Sequence, residues 1–137
     1  MSSLNAAIGS AQLAHFDEAM ATRRMLWRTY RDALVDLPGV ELVDVDVDRS
    51  VPHLCVVKVP DRDRVWDEMR RAGIGVGVHY PPNHLQPAFA RWTRPLPASE
   101  HLAEQILTLP FHQHLTEDDV HRTVTALRQA LTTGDAR

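Results

Sequence analysis

His53-Leu54-Cys55-Val56-Val57-Lys58-Val59, closed by Pro60, runs into Asp61-Arg62-Asp63-Arg64-Val65-Trp66-Asp67-Glu68-Met69-Arg70-Arg71 and then into Gly73-Ile74-Gly75-Val76-Gly77-Val78-His79-Tyr80. The first run is short, apolar and rich in β-branched residues, which predicts a buried strand. The second carries Val65, Trp66 and Met69 at helical spacing. Asp61 or Asp63 can cap it, and Gly73 supplies its stop. The third run reads as another strand, and its glycines mark places where something approaches the backbone closely. A strand–helix–strand unit sets the class as α/β.

Upstream, Val40 to Asp48 alternates apolar and acidic residues, the period-two pattern of a strand with one wet face. Residues 4–35 hold no proline and a single glycine, Gly9. With Leu4, Ile8 and Ala11 on one stripe and Leu26, Tyr30 and Leu34 continuing at spacings of four, they predict one long helix, straight or bent in the middle, ended by Leu37-Pro38-Gly39. Downstream, residues 81–97 form an irregular segment stiffened by prolines at 81, 82, 87, 95 and 97. A short helix over 98–105 and a fourth strand over 106–111 follow. Thr116-Glu117-Asp118-Asp119 resembles a capping box and opens a last helix with Val120, Val124, Leu127 and Leu131 on one face. Thr132 to Arg137 reads as a frayed tail. The expected architecture is a single domain over 1–137: a small, mostly antiparallel sheet of three to four strands packed by helices, with one long N-terminal helix.

The 137 residues suit one domain, and 44% apolar with 24% charged residues is the ordinary globular balance. A net charge of −3 disfavours nucleic-acid backbone as a partner. The apolar runs fall short of the roughly 20 residues a membrane span needs. The N-terminal residues lack the basic and apolar regions of a signal peptide, and the one cysteine, Cys55, fits a reducing cytoplasm. Lys58 is the only lysine. Any chemistry that needs a lysine amine must use it or do without.

The densest polar constellation is His79-Tyr80-Pro81-Pro82-Asn83-His84-Leu85-Gln86-Pro87, with two imidazoles, a phenol and two amides at a strand end. His79 and Tyr80 read either as half-buried residues held by hydrogen bonds or as direct participants in chemistry. His112, His114 and His121 lack the spacing of a metal site, so no metal is expected. Asp44, Asp46 and Asp48 read as a solvated strand face, and Cys55 as a buried, inert thiol. No phosphate-binding glycine loop and no nucleophile elbow is present.

Taken together, the segments 1–13, 37–40, 73–82, 84–87 and 107–116 resemble the C-terminal region of the DegT/DnrJ/EryC1/StrS aminotransferases, the fold-type-I enzymes of nucleotide-sugar and aminocyclitol metabolism. The resemblance covers nearly the whole chain in order. In that family the large N-terminal domain carries the pyridoxal phosphate, its lysine and the acid on its ring nitrogen, and the sequence starts after the corresponding point. No cofactor is therefore expected on this chain alone. The resemblance implies that His79, Tyr80 and His84 line a pocket for a polar, sugar-like metabolite. Asn83, Gln86, Arg91, Trp92 and Arg94 would contact the substrate, the last three from a variable segment.

Three functions are compatible with this. The chain can be a truncated small domain that works with a separate cofactor-domain partner. It can be a repurposed, cofactor-independent enzyme or metabolite-binding protein that uses His79, Tyr80 and His84 for acid–base chemistry. It can be a non-catalytic, oligomerising remnant. The first predicts an exposed apolar patch along Leu4, Ile8 and Leu26, and homodimerisation fits all three.

Overall fold

The computed structural model describes residues 2–133. The chain begins with α1 (Ser3–Ala14), whose N-cap Ser2 accepts a 3.3 Å hydrogen bond from the Asn5 amide. α2 (Phe16–Leu34) follows. The single long helix expected from composition is therefore two. His15, at φ −108° and ψ 10°, turns its amide back onto the carbonyls of Gln12 and Leu13 and interrupts the ladder. The halves differ in kind. α2 buries Leu26, Trp27, Tyr30 and Leu34, whereas α1 buries nothing.

The sheet has three strands, β1 (Glu41–Leu42), β2 (Cys55–Lys58) and β3 (Ile106–Leu109), in the order β1-β2-β3. All pairs are antiparallel, with Lys58 opposite Glu41 on one side and Ile106 on the other. Cys55 and Val57 point into the core. Burial pushes the Cys55 thiol up to about 12, which matches an inert, structural cysteine.

Two expected strands are shorter than their patterns. The alternation over 40–48 yields only Glu41–Leu42, because Asp46 diverts the backbone. Its carboxylate accepts from the amides of Asp48 (3.1 Å) and Arg49 (3.2 Å), and its carbonyl accepts from Ser50 (2.9 Å). Such local side-chain bonds compete directly with a ladder. The aspartates are thus not one strand face; Asp48 instead meets Arg28 of α2 at 2.8 Å. Arg23 and Arg24 hold the same loop through the carbonyls of His53 (3.3 Å) and Ser50 (3.4 Å).

The run 74–80 joins the sheet at a single point, a bridge between Gly77 and Thr108. The outward carbonyls of β3 and its continuation explain why. Ile106 O accepts from Arg62 (3.2 Å), Thr108 O from the Gly77 amide (3.1 Å) and Pro110 O from the Tyr30 hydroxyl (2.8 Å). Three different partners close an edge that a strand would otherwise occupy.

α3 (Arg62–Arg71) buries Val65 and Met69 and ends where Gly73 adopts φ +77°, a conformation that favours glycine. Asp61 sits at its N-cap position but makes no capping bond; its carboxylate pairs with Arg64 at 2.8 Å. Arg64 also donates to the Ala130 carbonyl at 2.6 Å, tying α3 to the last helix. α4 (Pro97–Ala103) is short. α5 (Glu117–Thr132) opens with the expected capping box between Thr116 and Asp119 and packs against both α2 and α3. Val120, Val124 and Leu127 are buried as expected, and Leu131 is half-buried. Thr132 belongs to α5; residues 134–137 of the expected tail lie outside the described residues.

Candidate functional site

The bridge at Gly77 delivers the chain to the His79–Tyr80 pair at the rim of β3. The peptide bond between them is cis, and their rings meet edge to face at 5.0 Å and 84°. Tyr80 is 73% exposed. His79 is exposed on one side and anchored on the other, with Nδ1 3.0 Å from Thr108 Oγ1. The ring lies directly over Gly77: a Cβ there would stand 2.9 Å from His79 Cε1. The glycine flagged by the sequence is thus a seat for an imidazole.

His84 has a different situation. Its side chain is only 11% exposed, and Nε2 lies 2.9 Å from Glu100 Oε1. The same carboxylate oxygen accepts from the Leu96 amide at 2.8 Å, and Thr93 Oγ1 donates to the His84 carbonyl at 2.7 Å. His84 therefore clamps the loop 81–97 onto α4. The Leu96 amide first, and His84 second, hold the Glu100 carboxyl below its usual range. A lowered carboxylate stabilises the fold above the ordinary value and stops doing so as pH falls through the folded one. Protection of the amides in 83–100, relative to their intrinsic exchange at each pH, is accordingly expected to fall as pH drops below about 4.3. Asp119, held low by its Thr116 cap, loosens the start of α5 in the same range. Glu100→Gln should abolish only the loop's pH response; an unchanged response would show that the clamp does not depend on this charge.

The remaining candidates fall into two small groups. Asn83 sits in a 3-10 turn (Asn83–Leu85), and the Gln86 amide donates to both Asn83 Oδ1 (3.2 Å) and the Pro81 carbonyl (3.3 Å). A second 3-10 turn (Pro87–Trp92) stacks the Arg91 guanidinium 3.8 Å from the Trp92 ring centre, with Phe89 6.3 Å away. Arg94 is exposed. The structure thus brings together His79 with Tyr80, Asn83 with Gln86, and Arg91 with Trp92, and it assigns His84 to Glu100. Sequence reasoning missed Thr108 and Glu100. The signal for Thr108 was a lone hydroxyl between two leucines in an apolar strand. Glu100, three residues into a short helix, gave none.

His112 and His114 have ring centres 6.1 Å apart, and the His114 amide donates to His112 Nδ1 at 3.3 Å. Among the described residues no group of three or more His, Cys, Asp or Glu could hold a metal ion. Lys58 Nζ lies 2.6 Å from Glu41 Oε1, its cross-strand partner. Beside it are Gly39, Val40, Val59, Pro60 and Gln105, a cleft with no second cation for a phosphate. These residues do not fit pyridoxal phosphate, which needs a free amine, an acid for the ring nitrogen and phosphate donors. A cleft of about 620 Å³ lies at the α1–α2 junction between Leu13, Phe16, Ala19, Thr22, Gln113 and His114, and neither His79, Tyr80 nor His84 borders it. Among the described residues no helix is long and apolar enough to cross a membrane.

A small antiparallel sheet backed by helices, with a proline-stiffened His-Tyr loop at its rim, matches part of the sugar aminotransferase CalS13 from Micromonospora echinospora, with a TM-score of 0.82 at 27% identity over 90% of this chain and 34% of that one. Two further solved structures superpose on it. The DesV structure from S. venezuelae, in complex with a ketimine intermediate, has a TM-score of 0.83 at 36% identity, over 90% of this chain and 35% of that one. DesI in the presence of its TDP-sugar product gives 0.86 at 30% identity, over 98% of this chain and 36% of that one. The family model for the DegT/DnrJ/EryC1/StrS aminotransferases matches residues 1–128, and the chain belongs to that family. Two curated relatives are the erythromycin biosynthesis sensory transduction protein EryC1 of Saccharopolyspora erythraea, 33% identical over 91% of this chain, and the dTDP-3-amino-3,4,6-trideoxy-alpha-D-glucose transaminase of Streptomyces venezuelae, 35% identical over 92%. The chain spans 36% and 35% of their lengths.

Proposed function

We propose that this chain is the small domain of an aminotransferase of sugar or natural-product biosynthesis and that it transfers amino groups only together with a cofactor-bearing domain. The observation that carries the reading is α1. Its twelve residues include no charge and bury none of their side chains, with Leu4 70% and Ile8 54% exposed. A water-facing helix of this composition is unusual unless another surface covers it. The patch is narrower than expected from sequence, since Leu26 is fully buried among α2's core residues. It continues instead through Leu13 (71% exposed) and Phe16 (52%).

In this reading His79 and Tyr80 face a polar, sugar-like substrate across a gap that the cofactor domain closes. His84 acts mainly by holding the loop, with Asn83, Gln86, Arg91, Trp92 and Arg94 as its outer contacts. The openness of the His79–Tyr80 rim favours this over a stand-alone acid–base enzyme, which needs walls that exclude water. A homodimer is compatible with the same exposed helix.

The test supplies the cofactor domain, fused ahead of residue 1 or as a separate chain, and follows complex formation and amino transfer to a keto-sugar. Both are expected, and Ile8→Asp should remove both while leaving the circular dichroism of the chain unchanged. Absence of complex and of transfer in either arrangement would reject the reading.

A further inference from the structure

We propose that Thr108 is a positioning residue that fixes the tautomer of His79. The neutral imidazole then offers Nε2–H, a hydrogen-bond donor, to an oxygen of the substrate and does not act as a general base. That His79 faces substrate rests on the function proposed above. The tautomer rests on geometry alone.

The reciprocal bonds between Gly77 and Thr108, 3.1 and 2.8 Å, set these two residues directly opposite each other. His79, two positions on, folds its ring back over Gly77 and brings Nδ1 to 3.0 Å from Thr108 Oγ1. Thr108 is only 6% exposed, and its hydroxyl has no other side-chain or backbone partner among the described residues. A hydroxyl has one hydrogen to place. If Nδ1 carried the ring proton, it would donate to Oγ1, and the Thr108 O–H would be a buried donor with no acceptor. Buried donors are rarely left so. The hydroxyl therefore donates to Nδ1, and the ring proton sits on Nε2, which has no partner among the described residues. Gly77 is part of the device, because a Cβ 2.9 Å from Cε1 would push the ring off the hydroxyl.

This gives His79 a defined chemistry. A fixed Nε2–H orients a hydroxyl, carbonyl or phosphate oxygen without changing charge, and it selects against a donor at the same point. Proton abstraction by Nε2 would require the opposite tautomer, hence a reversed Thr108 hydroxyl.

Long-range proton–nitrogen spectra of the ¹⁵N-labelled chain read this directly. They are recorded in alkaline buffer, with His79 assigned through His79→Gln. Wild type should show a pyridine-type Nδ1 and a pyrrole-type Nε2. Thr108→Ser should keep that pattern. Thr108→Val and Gly77→Ala should shift both nitrogens toward the averaged positions of a free imidazole. A pyrrole-type Nδ1 in wild type, or a wild-type spectrum from Thr108→Val, overturns the proposal. The wild-type reading alone decides the tautomer even if a variant does not fold. Because the chain is measured by itself, the expected spectrum combined with no amino transfer on adding the cofactor domain would reject the proposed function and leave this inference standing.

Discussion

Purified alone and mixed with excess pyridoxal phosphate, the chain is expected to transfer no amino group and to hold no stoichiometric cofactor. The whole expectation falls on one residue, since Lys58 is the only lysine. An internal aldimine needs a neutral amine beside the aldehyde, an acid on the ring nitrogen and donors for the phosphate. Lys58 Nζ donates to Glu41 Oε1 at 2.6 Å, its opposite in the β1–β2 register. Its nitrogen is engaged by a carboxylate, and among the described residues no second cation stands beside it to take a phosphate. Borohydride reduction followed by mass spectrometry should find no stoichiometric adduct on Lys58, and Lys58→Arg should leave the absorbance of the mixture unchanged. Turnover should then rise from background to a measurable rate when the cofactor domain is supplied. A yellow, Lys58-linked species that converts a keto-sugar unaided would overturn this account at its base.

The second large effect is on stability. Leu107→Ala is expected to destabilise the fold by about 2–5 kcal/mol, the usual cost of emptying a sealed leucine site. Leu107 is fully buried in the middle of β3, directly opposite Val57, with α3 packed near the strand. It also precedes Thr108, so a collapse around the cavity would move the anchor of His79. Leu107→Met, close in volume, should cost less than about 1.5 kcal/mol. Denaturant midpoints measure both, and the His79 spectrum reports whether the damage reaches the loop. An alanine variant as stable as wild type would mean that this position is not sealed in solution.

Much of the fold was legible because it is local. The spacing of Leu26, Tyr30 and Leu34, the box Thr116–Asp119 and the stop at Gly73 each concern residues within a few positions of one another, and each forms as read. The failures came where two local options compete. Alternation over 40–48 is a valid strand pattern, but Asp46 offers its own backbone a turn, and sequence periodicity does not weigh one against the other. A bend in 4–35 was compatible with its length, but its place at His15 was invisible because no proline or glycine marks it. At the site, the residue types of 79–94 were recognised, but their roles were not. His84 and His79 look alike in a string of letters. One is clamped by a carboxylate sixteen residues away and the other by a hydroxyl twenty-nine residues away.

The amino-acid sequence by itself determined α3 and α5, the strands β2 and β3, the family resemblance and the single lysine, since these depend on residue identity and short-range spacing. The tertiary structure alone decided which edge of β3 is closed, which imidazole keeps a nitrogen without a partner among the described residues, and that Leu26 lies in the core and not in the exposed patch. Those outcomes depend on partners brought together from distant segments. A buried hydroxyl or a strand's carbonyl must be satisfied by whatever the packed chain places within 3 Å or so, and no local pattern encodes that choice.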